Sequence, residues 1–168
     1  MKVPSRFRTI VGGASAAAGA VGIPGAFSFG SDVAVLKGIW VTGTIMIANK
    51  DGLELSKNSI VGLAASAIIG AAVFISGSKL AAKLFHLIPG PGTLAAIGVN
   101  SFLDAFFTYR FLSSVAKVFD KYDTTQISIQ ILKNSIKLFN PWTFFDDVED
   151  MKECIVEGLH LKHKFQNA

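Results

Sequence analysis

Charge and cysteine are scarce in this chain, and each shortage excludes a class of protein. Only 17% of the 168 residues are charged, where ordinary soluble domains carry about 25%. With 51% hydrophobic residues and a mean hydropathy of +0.48, neither a disordered chain nor one held by surface ion pairs fits. A single cysteine, Cys154, leaves no disulfide framework and no cysteine-based zinc site. There is no G-x-x-x-x-G-K-S/T phosphate loop and no G-x-S-x-G nucleophile elbow. Asn49-Lys50-Asp51 is one residue short of the Asn-Lys-x-Asp element that reads guanine, which displaces its carboxylate. Gly90-Pro91-Gly92 has no third glycine in dinucleotide register and no strand before it, so it reads as a turn. Clustered Lys and Arg are also missing. Residues 1–8 carry +3 (Lys2, Arg6, Arg8), 9–119 carry seven basic against four acidic, and 120–168 six against eight. That scatter excludes a nucleic-acid face and leaves positive-inside counting without a signal.

What is present is small and apolar. The length suits one domain rather than two. Residues 9–31 carry no charge and hold six Gly and six Ala but no Leu. After a basic start this resembles a signal peptide, yet the composition reads better as a small-residue helix that packs closely and ends near Gly22–Pro24. Ser31 and Asp32 then open a helix to about Asn49, with Val33, Leu36, Trp40, Thr44 and Ile47 on one face and Lys50-Asp51-Gly52 ending it.

Asn58–Ser78 is a run of twenty-one residues without a formal charge. As a helix it spans about 30 Å, the thickness of a bilayer core. Its eight large apolar residues favour insertion by roughly 2–5 kcal/mol, diluted by three Gly and four Ser, so insertion requires a partner helix. Gly62, Ser66 and Gly70 form a ridge suited to close helix packing; a buried core helix in a soluble bundle carries the same ridge. Lys79 and Lys83 bound the run, and Pro89-Gly90-Pro91-Gly92 form a rigid turn into a helix over 94–119. The expected unit is a hairpin, 58–78 against 94–115, that inserts in or docks on a membrane, with Lys79, Lys83, Arg6 and Arg8 at anionic headgroups.

On the second arm Asn100, Asp104 and Thr108 stand at i, i+4, i+8 as a polar stripe among phenylalanines. Asp104 reads as accepting hydrogen bonds inside the bundle, from Lys37 or Arg110, with Asp32 a further polar group; an ionisable residue at bilayer depth is otherwise a transport or relay candidate. Gln126–Phe139 reads as helix because no second strand exists to pair with it. Asn140-Pro141 then open a last amphipathic helix. It carries Trp142, Phe145, Val148, Met151 and Ile155 on one face, a surface for a membrane, the bundle or a partner. Acids crowd its start and Lys162, His163 and Lys164 its end, matching the helix dipole. Glu157-x-x-His160 is one carboxylate–imidazole pair where di-iron bundles need two plus two more Glu. Cys154 reads as a small buried hydrophobe. No catalytic, metal or cofactor residue is expected.

Taken in order, Gly22-Ile23-Pro24-Gly25 ahead of Ser31-Asp32, the helix 36–47, the Gly/Ala-rich helix 60–77, Ile88-Pro89-Gly90-Pro91-Gly92 and Thr108-Tyr109 resemble a known family. It is the helical domain-of-unknown-function family (number six-nine-seven) often fused to, or encoded beside, small Era-like GTPases. The resemblance covers about two thirds of the chain, residues 15–119. It implies a membrane-associated helical hairpin and, since no GTPase domain is present here, a GTPase on a separate chain.

The expectation is therefore an all-α bundle: a hydrophobic helical domain over 1–119 with helices near 32–49, 56–86 and 94–119, and an amphipathic tail over 120–168. As a function it implies a non-enzymatic membrane anchor or scaffold, with a pore-forming protein or a soluble helical adaptor as rivals. The expected partners are a lipid bilayer, a GTPase or other protein, and a second copy in a homo-oligomer. The location is a membrane, or the cytoplasm if the hairpin is a soluble core.

Overall fold

The computed structural model describes residues 2–25, 31–50, 52, 91–121 and 143–166. A short 3-10 turn, Ser5–Phe7, leads into α1 (Arg8–Gly25); α2 spans Ser31–Lys50, α3 Pro91–Lys121 and α4 Phe144–Gln166. There is no strand among the described residues, and the fold is all-α. The helix expected over 56–86 and that over 126–139 lie outside the described residues, as do Gly62, Ser66, Gly70, Lys79, Lys83, Pro89, Gly90 and Trp142.

Among the described helices α1 is the hub. It packs on α2, α3 and α4; α2 also packs on α3, whereas α4 meets α3 only sparsely and α2 scarcely at all. The composition of α1 explains this position. An added Cβ at Gly12 would overlap the carbonyl of Cys154 on α4, and one at Gly158 would stand 2.6 Å from the Gly13 nitrogen. Farther along, a Cβ at Gly22 would come within 2.6 Å of the Ser101 Cα on α3. Close backbone approach of this kind needs residues without side chains. The ridge of small residues used for packing among the described helices is therefore that of α1. Pro24 forfeits one intrahelical hydrogen bond, and α1 ends one residue later at Gly25. α2 ends at Lys50, where Gly52 adopts φ +71° and donates its N–H to the Asn49 carbonyl at 3.1 Å, the left-handed stop expected of glycine after a helix.

The core joins Phe7 and Val11 to Trp40, Ile47, Tyr109, Phe111, Leu112 and Val115. Trp40 stacks on Phe111, with ring centroids 4.3 Å apart. On α3 burial is unbroken from Asp104 to Ala116, so this stretch of the helix is enclosed on every side. None of the described helices is long and apolar enough to cross a membrane. This corrects the expected span over 94–115: Asn100, Asp104, Thr108 and Arg110 interrupt its apolar character, and protein encloses them. Pro91 and Gly92 are likewise not turn residues. They open α3, where a proline fits because the first helical N–H has no intrahelical partner.

α4 packs on α1, but not along its most apolar stripe. Val148, Met151 and Ile155 contribute to the core, while Phe145 is 84% exposed. The buried side carries Asp147, Asp150, Met151, Cys154 and Gly158, roughly a third of a turn from the expected face at 3.6 residues per turn. Val148, Met151 and Ile155 are thus not a free partner surface. Small Cys154 and Gly158 admit α1, and the two aspartates meet buried arginines.

Candidate functional site

Among the described residues a dense group of polar side chains lies where the start of α1 meets α4. Asp150 is its centre, with 8% of its side chain exposed. Its carboxylate accepts hydrogen bonds from Arg8 Nη1 (2.6 Å), Tyr109 Oη (2.6 Å) and the Val3 N–H (2.9 Å). Arg8 also donates from Nε to Glu157 (2.7 Å) and from Nη2 to Glu153 (3.0 Å). Asp150, Glu153 and Glu157 follow at i, i+3 and i+7, so one face of α4 presents all three to a single guanidinium. Both glutamates are substantially exposed, which makes them the wet rim of a dry pair.

Burial alone would raise the Asp150 pKa, but the hydrogen bonds from Tyr109, Val3 and Arg8 outweigh it and hold the carboxyl below its ordinary range. Burial by itself lowers the Arg8 pKa, yet its carboxylates raise its proton affinity above that of a free guanidinium. Burial and the bond to Asp150 push the Tyr109 phenol upward, so it stays protonated and donates. Burial drives the Cys154 thiol up to about 12, which keeps it from acting as a thiolate nucleophile at neutral pH.

A second arginine–aspartate pair sits one turn back on α4. Arg110 Nη2 lies 2.8 Å from Asp147 Oδ2, and the Thr143 hydroxyl donates to the same oxygen at 2.7 Å. Arg110 stacks over the Phe106 ring at 4.5 Å, beside Phe102 and Phe144. Burial lowers the Arg110 pKa, but a guanidinium stays charged in proteins.

The residues singled out from sequence are distributed through this bundle. Asn100 donates its amide to the Gly22 carbonyl at 2.7 Å, satisfying an acceptor that the last turn of α1 leaves open. Thr108 accepts from Trp40 Nε1 at 2.8 Å. The stripe Asn100–Asp104–Thr108 thus runs along buried α3, with Asn100 reaching α1 and Thr108 reaching α2, while Asp104 is buried and Lys37 is exposed on α2. Arg8 is buried among carboxylates and is not a headgroup contact. Arg6 is exposed and pairs with Asp120 at 3.0 Å. Arg8, Tyr109, Asp147 and Asp150 escaped notice as a group because charges near a helix start read as solvated dipole partners. Their only signal is the i, i+3, i+7 spacing of acids from Asp150.

Chemically this group is a lock. Every hydrogen-bonding group named at Asp150 is engaged by another, and the tyrosine and thiol are held protonated. Among the described residues no cluster of His, Cys, Asp and Glu is arranged to hold a metal ion. No family model, curated protein or solved structure matches the chain.

Proposed function

We propose that the protein is a non-enzymatic, membrane-associated anchor or scaffold. The observation that carries this reading is the uncharged run 58–78, twenty-one residues long, which lies outside the described residues and is long enough to reach across or into a bilayer. The polar groups of the described bundle support it, because their hydrogen bonds tie helix to helix and their protonation states suit structure rather than turnover. A GTPase on a separate chain is the partner implied by the sequence resemblance. The test is a high-pH carbonate wash of membranes from cells expressing the full chain. Retention in the pellet with release only by detergent supports the anchor, and release by carbonate alone defeats an integral one. One observation favours a second reading, a soluble helical adaptor: α3, the other arm of the expected hairpin, is enclosed by protein along Asp104–Ala116.

A further inference from the structure

The two outer helices of the bundle differ in charge. Among the α4 side chains described, the exposed ones include Asp146, Glu149, Glu153 and Glu157 and one lysine, Lys152, while Lys162 and Lys164 near its end lie outside them. Among the α2 side chains described, the exposed ones are Ala34, Val35, Lys37, Gly38, Thr42, Met46, Asn49 and Lys50, with no acid among them; Asp32 in the first turn lies outside them. Val35 is 47% and Met46 50% exposed, and nothing stands within 4 Å of where a Gly38 Cβ would be. A surface helix on a soluble protein normally turns charged residues outward. Here the outward side between Lys37 and Lys50 has none.

We propose that the outward side of α2, through Val35, Thr42 and Met46 with Lys37 and Lys50 beside them, is the surface that rests on an anionic lipid bilayer. This deepens the anchor reading and rests on it. Uncharged, partly apolar side chains with cations next to them suit the boundary between headgroups and acyl chains. Charge complementarity selects this partner and orients the molecule. An anionic surface attracts the lysines of α2 and repels the acids exposed on α4, a helix that scarcely meets α2. The chain also leaves α2 through Gly52 only a few residues before the uncharged run 58–78 begins, so both apolar features lie on one stretch of chain.

The test uses the full chain with single cysteines at positions 35, 42 and 46, and at 156 and 159 on α4 as controls, each carrying an environment-sensitive NBD fluorophore. Native Cys154 is buried, so labelling occurs at the introduced site. The vesicles are equimolar phosphatidylcholine and phosphatidylserine. The expected result is a vesicle-dependent blue shift at 35, 42 and 46 and none at 156 and 159. Val35→Glu and Met46→Glu each lower the vesicle-bound fraction about tenfold, the effect of keeping one such side chain from an apolar surface, with helicity unchanged by circular dichroism. Emission that is already blue without vesicles overturns the proposal. If it is independent of concentration, the protein itself covers the face; if it rises with concentration, a second copy does. Vesicle binding by the wild-type chain with α2 unshifted overturns the α2 surface and leaves the anchor reading intact. Failure of the wild-type chain to bind vesicles, together with its release by carbonate, defeats both.

Discussion

α1 is fastened to its neighbours by opposite means at its two ends. Its first turn is held by charge: Arg8 lies among three carboxylates, with Tyr109 and the Val3 N–H completing Asp150. From Gly12 to Gly22 it is held by missing side chains, with backbone against backbone on α4 and α3. The charged end gives direction, because a buried guanidinium tolerates few registers in which its partners line up. The glycine end gives proximity and no direction, since smooth ridges slide. Each end supplies what the other lacks, and the two together hold a hub helix that has few large side chains of its own.

The strongest way to break this division is at the charged end. Arg8→Met leaves Asp150 buried without its counter-ion, and the expected loss is about 3–5 kcal/mol of stability, read as a fall in the urea midpoint. The same contact has a signature in pH. Because the folded Asp150 pKa lies below its ordinary value, its contribution is present above the usual carboxylate range and disappears as pH falls through the folded value. Acid titration of stability should therefore be flatter in Arg8→Met than in the wild type, and equal slopes would remove Arg8 from this role.

Gly12→Ala comes next, at about 3 kcal/mol. The group it strikes is the Cys154 backbone, which cannot swing aside as a side chain would. Thermal melts decide it, and an unchanged midpoint would mean that α1 and α4 separate freely. Tyr109→Phe removes one hydrogen bond to a charged acceptor, for about 2 kcal/mol. It should also remove part of an alkaline transition. The Tyr109 pKa is raised by folding, so its stabilisation is complete below the ordinary tyrosine range and is lost as pH rises beyond it. Gly13→Ala is the smallest change and runs the other way. Nothing lies within 4 Å of its added Cβ, so alanine's better helix propensity should stabilise the protein by up to about 1 kcal/mol. Opposite signs at adjacent glycines would sharpen the comparison more than either value alone.

Much of the helical layout was legible in sequence. Apolar spacing from Val33 to Ile47 placed α2, and the Gly/Ala content of residues 9–31 marked a closely packing helix ending near Gly22–Pro24. The start of α3 was misplaced because proline and glycine break most helices, and only position in the first turn distinguishes Pro91 as a helix opener. The buried side of α4 was misplaced for a different reason. Periodicity ranks faces by hydrophobicity, and the face that wins here contains Asp147 and Asp150, which are tolerable inside only because Arg110 and Arg8 arrive from other helices. Nothing local to α4 announces those partners.

Composition and spacing by themselves determined that the chain is helical, that it lacks a disulfide or cysteine-zinc framework, and that it packs through small residues, since these follow from short-range sterics and side-chain polarity. Only the tertiary structure decided which of the described helices is central, which face of α4 is buried, and that Arg8 is an interior residue rather than a surface cation. Those outcomes depend on contacts between residues more than a hundred positions apart, such as Arg8 and Asp150. The free energy of such a contact exists only once both helices are in place.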